Sequence, residues 1–385
     1  MVNKQQFEIS DILDQYLEPY IANHDITYHQ YKVLNAIKIC RTSVLGGHIE
    51  QCNNSDCDYE TIAYNSCRNR HCPKCSGSKK IQWISKRLKE ILSVPYFHVV
   101  FTMPSTLRLL SLYNQSVIYD LFFKSSSYTL KIFSKDKRYL GATLGFMGIL
   151  HTWGQTLFYH PHIHYIVTGG GLTSDKSQWK NLPYQKKFLF PVKAMSKVIG
   201  AHFIKLLKEA YQNKVIQFPN KLKNISKPIS FYQYCSKLYD ENWYIYAKPP
   251  FSGPSTVIKY FSRYTHRIAI SNNRLLSIDN DKISFKYKDY KEDAKSKIMT
   301  LPVESFLQRF LWHILPNGFR KIRYYGILSS GLKTKCLKII RELFEYVDEI
   351  LDHNIHDCLD DLLPIIEHLC PKCKKGRLII QINTS

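Results

Sequence analysis

The feature that most constrains this chain is a cluster of cysteines near its N-terminal end. Six of the 11 cysteines lie between Cys40 and Cys75, in a polar stretch that offers little apolar core for free thiols. The chain begins without an apolar run behind a basic start, so we expect no secretory signal and no disulfides. Reduced thiolates at this density predict a metal-binding module.

The spacing of these cysteines favours zinc. Cys72-Pro-Lys-Cys75 has the two-residue gap of a zinc knuckle, whereas Cys52 and Cys57 form a wider pair. Zinc in structural sites takes four ligands at tetrahedral corners. We therefore predict a structural Zn²⁺ held by these four thiolates. Four nearby side chains could replace one of them or hold a second ion: Cys40, His48, Cys67 and His71.

A further cysteine pair lies near the C-terminal end. Cys370-Pro-Lys-Cys373 has the knuckle spacing and resembles half of another zinc site,. The candidates to complete that site are His356, Cys358 and His368.

The charge of the chain indicates a polyanionic partner. Lysine and arginine number 54 against 31 acidic residues, a formal net charge of +23, and the chain of 385 residues contains 27 Tyr and 20 Phe. Cations neutralise phosphates and exposed rings stack on unpaired bases, so nucleic acid is favoured over a merely basic surface. The sequence lacks a run of about 18 uncharged apolar residues, so we expect a cytoplasmic protein without a membrane partner.

The order of predicted elements indicates an α+β fold, because short β-branched strands alternate with long helical stretches. Predicted helices cover residues 7–41 (as two helices), 77–92, 105–135, 195–212 and 255–267. Predicted strands cover residues 97–104, 144–153, 162–171 and 243–250, with a hairpin over 274–289 that turns at Asn280–Asp281. We divide the chain into N-terminal helices with a zinc-binding domain, a central α+β domain, and a helical region with the terminal cysteine pair: 1–92, 93–290 and 291–385.

Two histidines share one face of a predicted strand. Alternation sends His162 and His164 to the same face and Ile163 to the other,. Two imidazoles side by side on a rigid strand are a ready pair of ligands for a divalent metal. Such a pair alone is common among surface histidines, so its meaning depends on the rest of the chain.

Two tyrosines share one face of a predicted helix. In KYFSRYTHR, Tyr260 and Tyr264 lie four residues apart,. An aromatic pair of this kind usually packs against a core. The paired histidines, the net charge and the cysteine module together favour a functional pair instead. The basic residues around it are predicted to contact DNA: Lys259, Arg263 and Arg267.

In these blocks the chain resembles the rolling-circle transposases of bacterial insertion sequences. These are the HUH two-tyrosine class typified by the insertion-sequence ninety-one (IS91) family. The resemblance spans about residues 35 to 330 and rests on five blocks in a specific order: GGHIEQC…YNSCRNRHCPKC, VPYFHVVFTMP, LHTWGQTLFYHPHIHYIVTGGGL, YAKPPFSGPSTVIKYFSRYTHRIAIS and FLQRFLWHILPNGFRKIRYYG. It implies an HUH-type central antiparallel sheet with packed helices, an N-terminal zinc module and a helical C-terminal region.

The resemblance also implies a chemistry. His162 and His164 would match the HUH motif and bind Mg²⁺ or Mn²⁺, and Tyr260 and Tyr264 would match the two nucleophiles. Attack of a tyrosine on a phosphate of single-stranded DNA would leave a 5′-phosphotyrosine and a free 3′-OH, without ATP.

A third metal ligand is usual in this class. Gln155 is the first candidate, because it is a polar group just upstream on the adjoining segment, and His151 and His160 are weaker ones. The spacing alone does not decide among them.

The implied function is a transposase that nicks and transfers single-stranded DNA during rolling-circle transposition of an insertion sequence. Expected partners are single-stranded or hairpin DNA at the element ends and target DNA. The sequence shows no Walker-type phosphate loop, so host helicase and replication proteins are also expected. Two alternatives stay open: a plasmid or phage replication initiator or relaxase of the same chemistry, and a non-catalytic zinc-dependent DNA-binding protein.

Overall fold

A computed structural model of the protein describes residues 7–75, 87, 90–182, 189–251, 265, 267–290, 292–344 and 369–381. Its α-helices are α1 (Ile9–Asn23), α2 (Tyr28–Lys38), α3 (Arg108–Tyr113), α4 (Gln115–Lys135), α5 (Val192–Gln212), α6 (Pro228–Lys237), α7 (Val303–Trp312) and α8 (Lys333–Leu343). Its strands are β1 (Gly47–Cys52), β2 (Glu60–Tyr64), β3 (Tyr96–Thr102), β4 (Thr143–Trp153), β5 (Tyr159–Leu172), β6 (Trp179–Asn181), β7 (Ile245–Phe251), β8 (Leu275–Asp279), β9 (Lys282–Asp289), β10 (Lys295–Pro302), β11 (Ile322–Gly326) and β12 (Leu378–Ile380). Within these ranges no helix has the length and apolar character needed to cross a membrane.

The two N-terminal helices confirm the prediction for residues 7–41. Thr27 and Gln30 begin α2 with reciprocal bonds: the Gln30 N–H donates to Thr27 Oγ1 (3.2 Å), and the Thr27 N–H donates to Gln30 Oε1 (2.9 Å),. In α1 the buried residues recur mainly at three- and four-residue spacing, which makes an apolar stripe,. This stripe packs with α7 and the β8–β9 hairpin in one hydrophobic cluster.

The centre of the molecule is an antiparallel sheet with the strand order β11-β4-β5-β3-β7, and β6 pairs with the far end of β5. Helices α3, α4 and α5 cover one face, where Phe122, Phe203 and Tyr165 are fully buried in the largest hydrophobic cluster. Each such side chain contributes about 1.5–3 kcal/mol by leaving water. The predicted α+β class, with a central antiparallel sheet and packed helices, is confirmed.

The glycines that end β5 allow its neighbours to approach closely. A β-carbon on Gly171 would lie 2.7 Å from the backbone oxygen of Thr143 in β4, and one on Gly169 would lie 2.8 Å from that of Pro95. Any side chain at either position would push a neighbouring backbone away. The glycines therefore have a packing role in the sheet.

A smaller sheet, β10-β9-β8, is formed by the part of the chain between strands β7 and β11 of the central sheet. Its β8–β9 hairpin turns at Asn280 and Asp281, whose φ angles of 48° and 55° are those of a type I′ turn,. The predicted hairpin and its turn are thus confirmed.

Two described regions differ from the predicted element pattern. The cysteine-rich stretch contains strands β1 and β2, although its sequence shows little periodicity. Residues 291–385 contain β10, β11 and β12 as well as helices, and β11 pairs with β4 in the central sheet. A boundary at residue 290 therefore does not isolate a helical unit. Most of the predicted helices at 77–92 and 255–267 lies outside the described residues.

Candidate active site and metal centres

Three histidines meet on the face of the central sheet opposite to the helices α3, α4 and α5, and we name them the histidine cluster: His151, His162 and His164. In the strand register His151 of β4 lies opposite His162 of β5, and Ile149 lies opposite His164. Opposed residues of antiparallel strands point to the same face, which brings the three rings together. One ring nitrogen from each lies within 4.8 Å of the others. The predicted pair is thus joined by a third imidazole.

Hydrogen bonds orient two of the rings. His162 Nδ1 lies 2.7 Å from the carbonyl oxygen of His160. A carbonyl can only accept, so Nδ1 carries the proton and the Nε2 lone pair is available to a metal. His164 Nδ1 lies 2.9 Å from His98 Nε2 on β3. This contact leaves His164 Nε2 as the nitrogen that can bind a cation.

Burial keeps the imidazoles of His162 and His164 neutral. Burial, aided by His160 and Arg267, lowers the pKa of His162 to about 4, although the bond to the His160 carbonyl opposes the shift. Burial and the neighbouring imidazoles also hold the pKa of His164 well below its usual range. Burial lowers the pKa of His98 to about 3. Neutral imidazole is the form that binds metal, so the cluster has the donor set for a divalent ion.

The structure places His151 beside His162 and His164, and the side chain of Gln155 contacts a different strand. Gln155 lies in the turn between β4 and β5, where its Oε1 accepts from the Lys288 N–H of β9 (3.4 Å) and its carbonyl accepts from Arg274. His151 is 2% exposed and its ring stacks on Trp153, with centroids 4.8 Å apart. The first choice made from the sequence, Gln155, thus has its side chain bonded to β9, and its role as a ligand stays a prediction. His160, the other weaker candidate, contributes its backbone carbonyl.

Both predicted nucleophiles lie outside the described residues, as do two of the three predicted DNA-contacting cations: Tyr260, Tyr264, Lys259 and Arg263. The third cation, Arg267, is described and exposed. It lies near enough to the histidine cluster to lower the pKa of both His162 and His164. Lys321, at the start of β11, donates to the Arg267 carbonyl (2.9 Å) and holds this part of the chain beside the sheet.

Four cysteines form what we name the N-terminal cysteine cluster: Cys40, Cys67, Cys72 and Cys75. The Sγ–Sγ distances are 3.4 Å for Cys40–Cys75 and 3.6 Å for Cys67–Cys75. A tetrahedral zinc with Zn–S bonds of about 2.3 Å separates its sulfurs by about 3.8 Å. Hydrogen bonding, chiefly with Cys72, lowers the pKa of Cys67 to about 5 against the effect of burial. The donors and their spacing fit zinc.

Four further cysteines form what we name the two-ended cysteine cluster: Cys52, Cys57, Cys370 and Cys373. The predicted ligand set of Cys52, Cys57, Cys72 and Cys75 is therefore wrong in its grouping, since its two pairs belong to different clusters. The alternates Cys40 and Cys67 are members of the N-terminal cluster.

The two alternate histidines do not join the cysteines. His48 Nε2 lies 3.2 Å from Glu50 Oε1, and half-buried His71 accepts from the Leu315 N–H (3.4 Å). Of the residues proposed to complete the Cys370–Cys373 pair, His356, Cys358 and His368 lie outside the described ranges.

An open cleft of about 920 Å³ lies on the helix-covered side of the central sheet, and we name it the basic cleft. Its lining includes four cations and three rings: Lys124, Lys131, Arg320, Arg323, Tyr128, His202 and Tyr325. Tyr128, which is 40% exposed, stacks on His202 with centroids 3.8 Å apart. Cations beside accessible rings are the features that single-stranded nucleic acid binds.

Sequence reasoning missed His98 and underrated His151. The alternation of FHVVF places His98 on one face of β3, but the register with β5 is needed to bring it to His164. His151 likewise meets His162 only through the pairing of β4 with β5. The alternation along each predicted strand was the available signal, because it shows which histidines lie on the same face of that strand. It does not show which strands are neighbours in the sheet.

Comparison with known proteins identifies the family. A family described as "Putative transposase" matches residues 145–336, and a "Transposase zinc-binding domain" of the IS91 type matches residues 12–103. The chain is 38% identical to the putative transposase y4qJ of Sinorhizobium fredii over 97% of its own length and 94% of that protein. It is 30% identical to the transposase for insertion sequence element IS801 of Pseudomonas savastanoi pv. phaseolicola, over 80% of this chain and 71% of that one. No solved structure matches it significantly.

These matches agree with the geometry. The zinc-binding domain contains all four residues of the N-terminal cysteine cluster, whose thiolates form a closed set without an open position, as structural zinc sites do,. The second matched region contains β4, β5 and the histidine cluster. The chain therefore belongs to the IS91 family of insertion-sequence transposases.

Proposed function

We propose that this transposase nicks and transfers single-stranded DNA through 5′-phosphotyrosine intermediates, with the histidine cluster as its metal-binding centre and Tyr260 and Tyr264 as its nucleophiles. The observation that carries the proposal is the meeting of three imidazoles, those of His162 and His164 held neutral, on one sheet face beside Arg267.

The histidine cluster supplies ligands of one kind. Imidazole suits transition metals, whereas Mg²⁺ prefers carboxylates and water. The cluster includes no carboxylate among the described residues. We therefore favour Mn²⁺ over Mg²⁺. A bound divalent cation would polarise the scissile phosphate and stabilise the charge that develops there. His98 and the His160 carbonyl hold His164 and His162 in orientation.

The tyrosines supply the covalent step. The phenol of one tyrosine loses its proton as its oxygen attacks phosphorus, and the bond from phosphorus to the 3′ oxygen breaks. The departing 3′ oxygen gains a proton and becomes a free 3′-OH. The phosphodiester energy is kept in the phosphotyrosine, so a 3′-OH of another strand can attack it and reverse the step. Two tyrosines allow two such cleavages, as transfer of one strand of an element requires.

Covalent connectivity supports this assignment. Tyr264 precedes Arg267 by three residues, and three residues of chain span at most about 11 Å,. Arg267 itself is near His162 and His164. A nucleophile that close in the chain can reach a phosphate held at the cluster.

The DNA partner is proposed from charge and rings. The net charge of +23 favours phosphates, and Arg267 stands beside the histidine cluster. The basic cleft on the opposite side offers Lys131 and stacked Tyr128 to a flanking strand. We propose that single-stranded or hairpin DNA at the element ends binds better than plain duplex, with an affinity that falls steeply with salt.

A covalent-adduct assay tests the proposal. The protein is incubated with Mn²⁺ and labelled single-stranded DNA that carries the element ends, and the products are separated on a denaturing gel. Wild type should form a protein–DNA adduct. Tyr260→Phe and Tyr264→Phe should each keep some adduct but lose complete strand transfer, and the double variant should form none. Exposed Tyr290 gives the control, since Tyr290→Phe should behave as wild type.

The same assay distinguishes the alternatives. An adduct that persists in the double phenylalanine variant would place the nucleophile elsewhere. DNA binding without any adduct in wild type would favour the non-catalytic binder. Cleavage at a plasmid or phage origin but not at element ends would favour the initiator or relaxase.

The third metal ligand can be tested separately. His151→Ala removes a ring from the cluster and should lower cleavage by about 10-fold or more, in proportion to lost metal affinity. Gln155→Ala should keep cleavage near wild type, because its side chain bonds to β9. Mn²⁺ titrations of both variants provide the measurement. If Gln155→Ala alone raised the Mn²⁺ requirement, Gln155 would be the ligand after all.

A further inference from the structure

We propose that the two-ended cysteine cluster binds a second zinc ion, which fastens the C-terminal segment of the chain to the N-terminal module. The ligands are Cys52 and Cys57 from the N-terminal side and Cys370 and Cys373 from the C-terminal side. Cys370 and Cys373 lie outside the matched zinc-binding domain, which covers residues 12–103.

The sulfur geometry fits a tetrahedral ion. The Sγ–Sγ distances are 3.7 Å for Cys52–Cys373 and 3.7 Å for Cys57–Cys370, close to the value of about 3.8 Å expected around zinc,. A disulfide would need sulfurs about 2.05 Å apart. All four sulfurs lie within 4.8 Å of one another, so the arrangement is one group of four and not two separate pairs.

Backbone N–H groups point at two of the sulfurs. The Asn54 N–H donates to Cys52 Sγ (3.5 Å), and the Gly376 N–H donates to Cys373 Sγ (3.3 Å). Such donors stabilise the thiolate form that metal binding requires, and they are the outer-shell contacts expected around a zinc knuckle. The N-terminal and the C-terminal side of the cluster therefore each have one sulfur that accepts a backbone N–H.

The backbone brings the two ends into register at the cluster. Strand β12 pairs with β1, with Cys52 opposite Leu378. Asn53 and Arg377 exchange bonds: the Asn53 N–H donates to the Arg377 carbonyl (2.9 Å), and the Arg377 N–H donates to Asn53 Oδ1 (2.7 Å). A β-carbon at Gly376 would overlap Cys52 Sγ, so this approach requires glycine there.

Side-chain packing alone stabilises the position of the C-terminal segment only weakly. The hydrophobic cluster around the four sulfurs adds only Tyr59 and Leu378 among the described residues. An exposed ion pair, Lys372–Asp58, adds little because solvent screens it,. A metal ion would therefore supply most of the energy that holds the segment in place.

Zinc stoichiometry of the full-length protein tests the proposal. Elemental analysis should find two zinc ions per chain in wild type and one in the double variant Cys370→Ser, Cys373→Ser. The matched control is Cys336→Ala, a buried cysteine outside both clusters, which should keep two. One zinc in wild type, or two in the double variant, would overturn the inference. So would intact masses that show disulfides at these four cysteines in protein purified without oxidant.

A glycine pair gives a second test that leaves every sulfur in place. Gly376→Ala should speed release of one of the two zinc ions to a chromogenic chelator by about 10-fold or more, because a β-carbon displaces Cys52 Sγ. Gly331→Ala is the control, because a β-carbon there meets nothing within 4 Å. Equal release rates for the two variants would contradict a metal bound at this cluster.

Discussion

The N-terminal and two-ended cysteine clusters have the same four donors but different support. Cys40, Cys72 and Cys75 are part of the hydrophobic cluster that joins α1, α2 and α7. The two-ended cluster has a small core of its own, and its ligands Cys57 and Cys370 are 313 residues apart. Loop-closure entropy grows slowly with loop length, so a metal ion can hold such distant segments together. The comparison teaches that the N-terminal zinc site is built into a hydrophobic core. The two-ended site would instead be a metal link between two segments that are distant in sequence.

The largest expected effect comes from removing the N-terminal cluster. Cys72→Ser with Cys75→Ser should release zinc and loosen residues 46–75, and it should lower the free energy of unfolding of this region by about 4 kcal/mol or more. The thiols lie in the core of α1 and α2, so lost metal and lost packing add together. Thermal unfolding followed by circular dichroism, with zinc analysis, gives the measurement. The central sheet should stay folded; its collapse would mean that the module is not separable.

Removing the two-ended cluster should have a smaller and more local effect. In Cys370→Ser with Cys373→Ser, hydrogen exchange should become fast in residues 369–381 and along β1, where β12 pairs,. Exchange in β4 and β5 should be unchanged, because their packing does not involve these ends. Mass-spectrometric hydrogen exchange provides the measurement. Protection of residues 369–381 equal to that in wild type would show that backbone pairing alone holds the segment.

The smallest expected effect sharpens the same comparison. Lys372→Ala removes the exposed ion pair with Asp58, which also joins the two ends. Exposed pairs contribute little and are screened by salt. Zinc content and exchange protection of residues 369–381 should therefore match those of wild type within error. If Lys372→Ala lowered the exchange protection of residues 369–381 as much as the cysteine variant does, the ion pair and not the metal would hold the segment.

Much of the central sheet could be predicted from local pattern. The strands at 97–104, 144–153 and 162–171 correspond to β3, β4 and β5, and the turn at Asn280–Asp281 is where the hairpin reverses. The position of His162 and His164 on one face follows from the alternation of side chains along any strand. These features depend on residues that are close in sequence, so they can be predicted without the tertiary structure.

The remainder depends on contacts between distant residues. His151 joins the histidine cluster, and His98 contacts it, because of the register of β4 and β3 against β5. Strand β11 belongs to the central sheet although it lies more than 100 residues after β5 in the chain. Hydrophobic pattern selects the face that each strand presents, but not its neighbour.

The sequence by itself determined that this chain has zinc knuckles, a histidine pair on a strand and a basic, ring-rich composition, because these are properties of spacing and content. Only the tertiary structure decided which cysteines share a site. Cys52 and Cys57 meet Cys370 and Cys373, while Cys72 and Cys75 meet Cys40 and Cys67. A four-ligand ion has no preference for ligands that are near in sequence, and every cysteine offers it the same sulfur. The choice therefore falls to the backbone pairing of β1 with β12, which brings the two ends together.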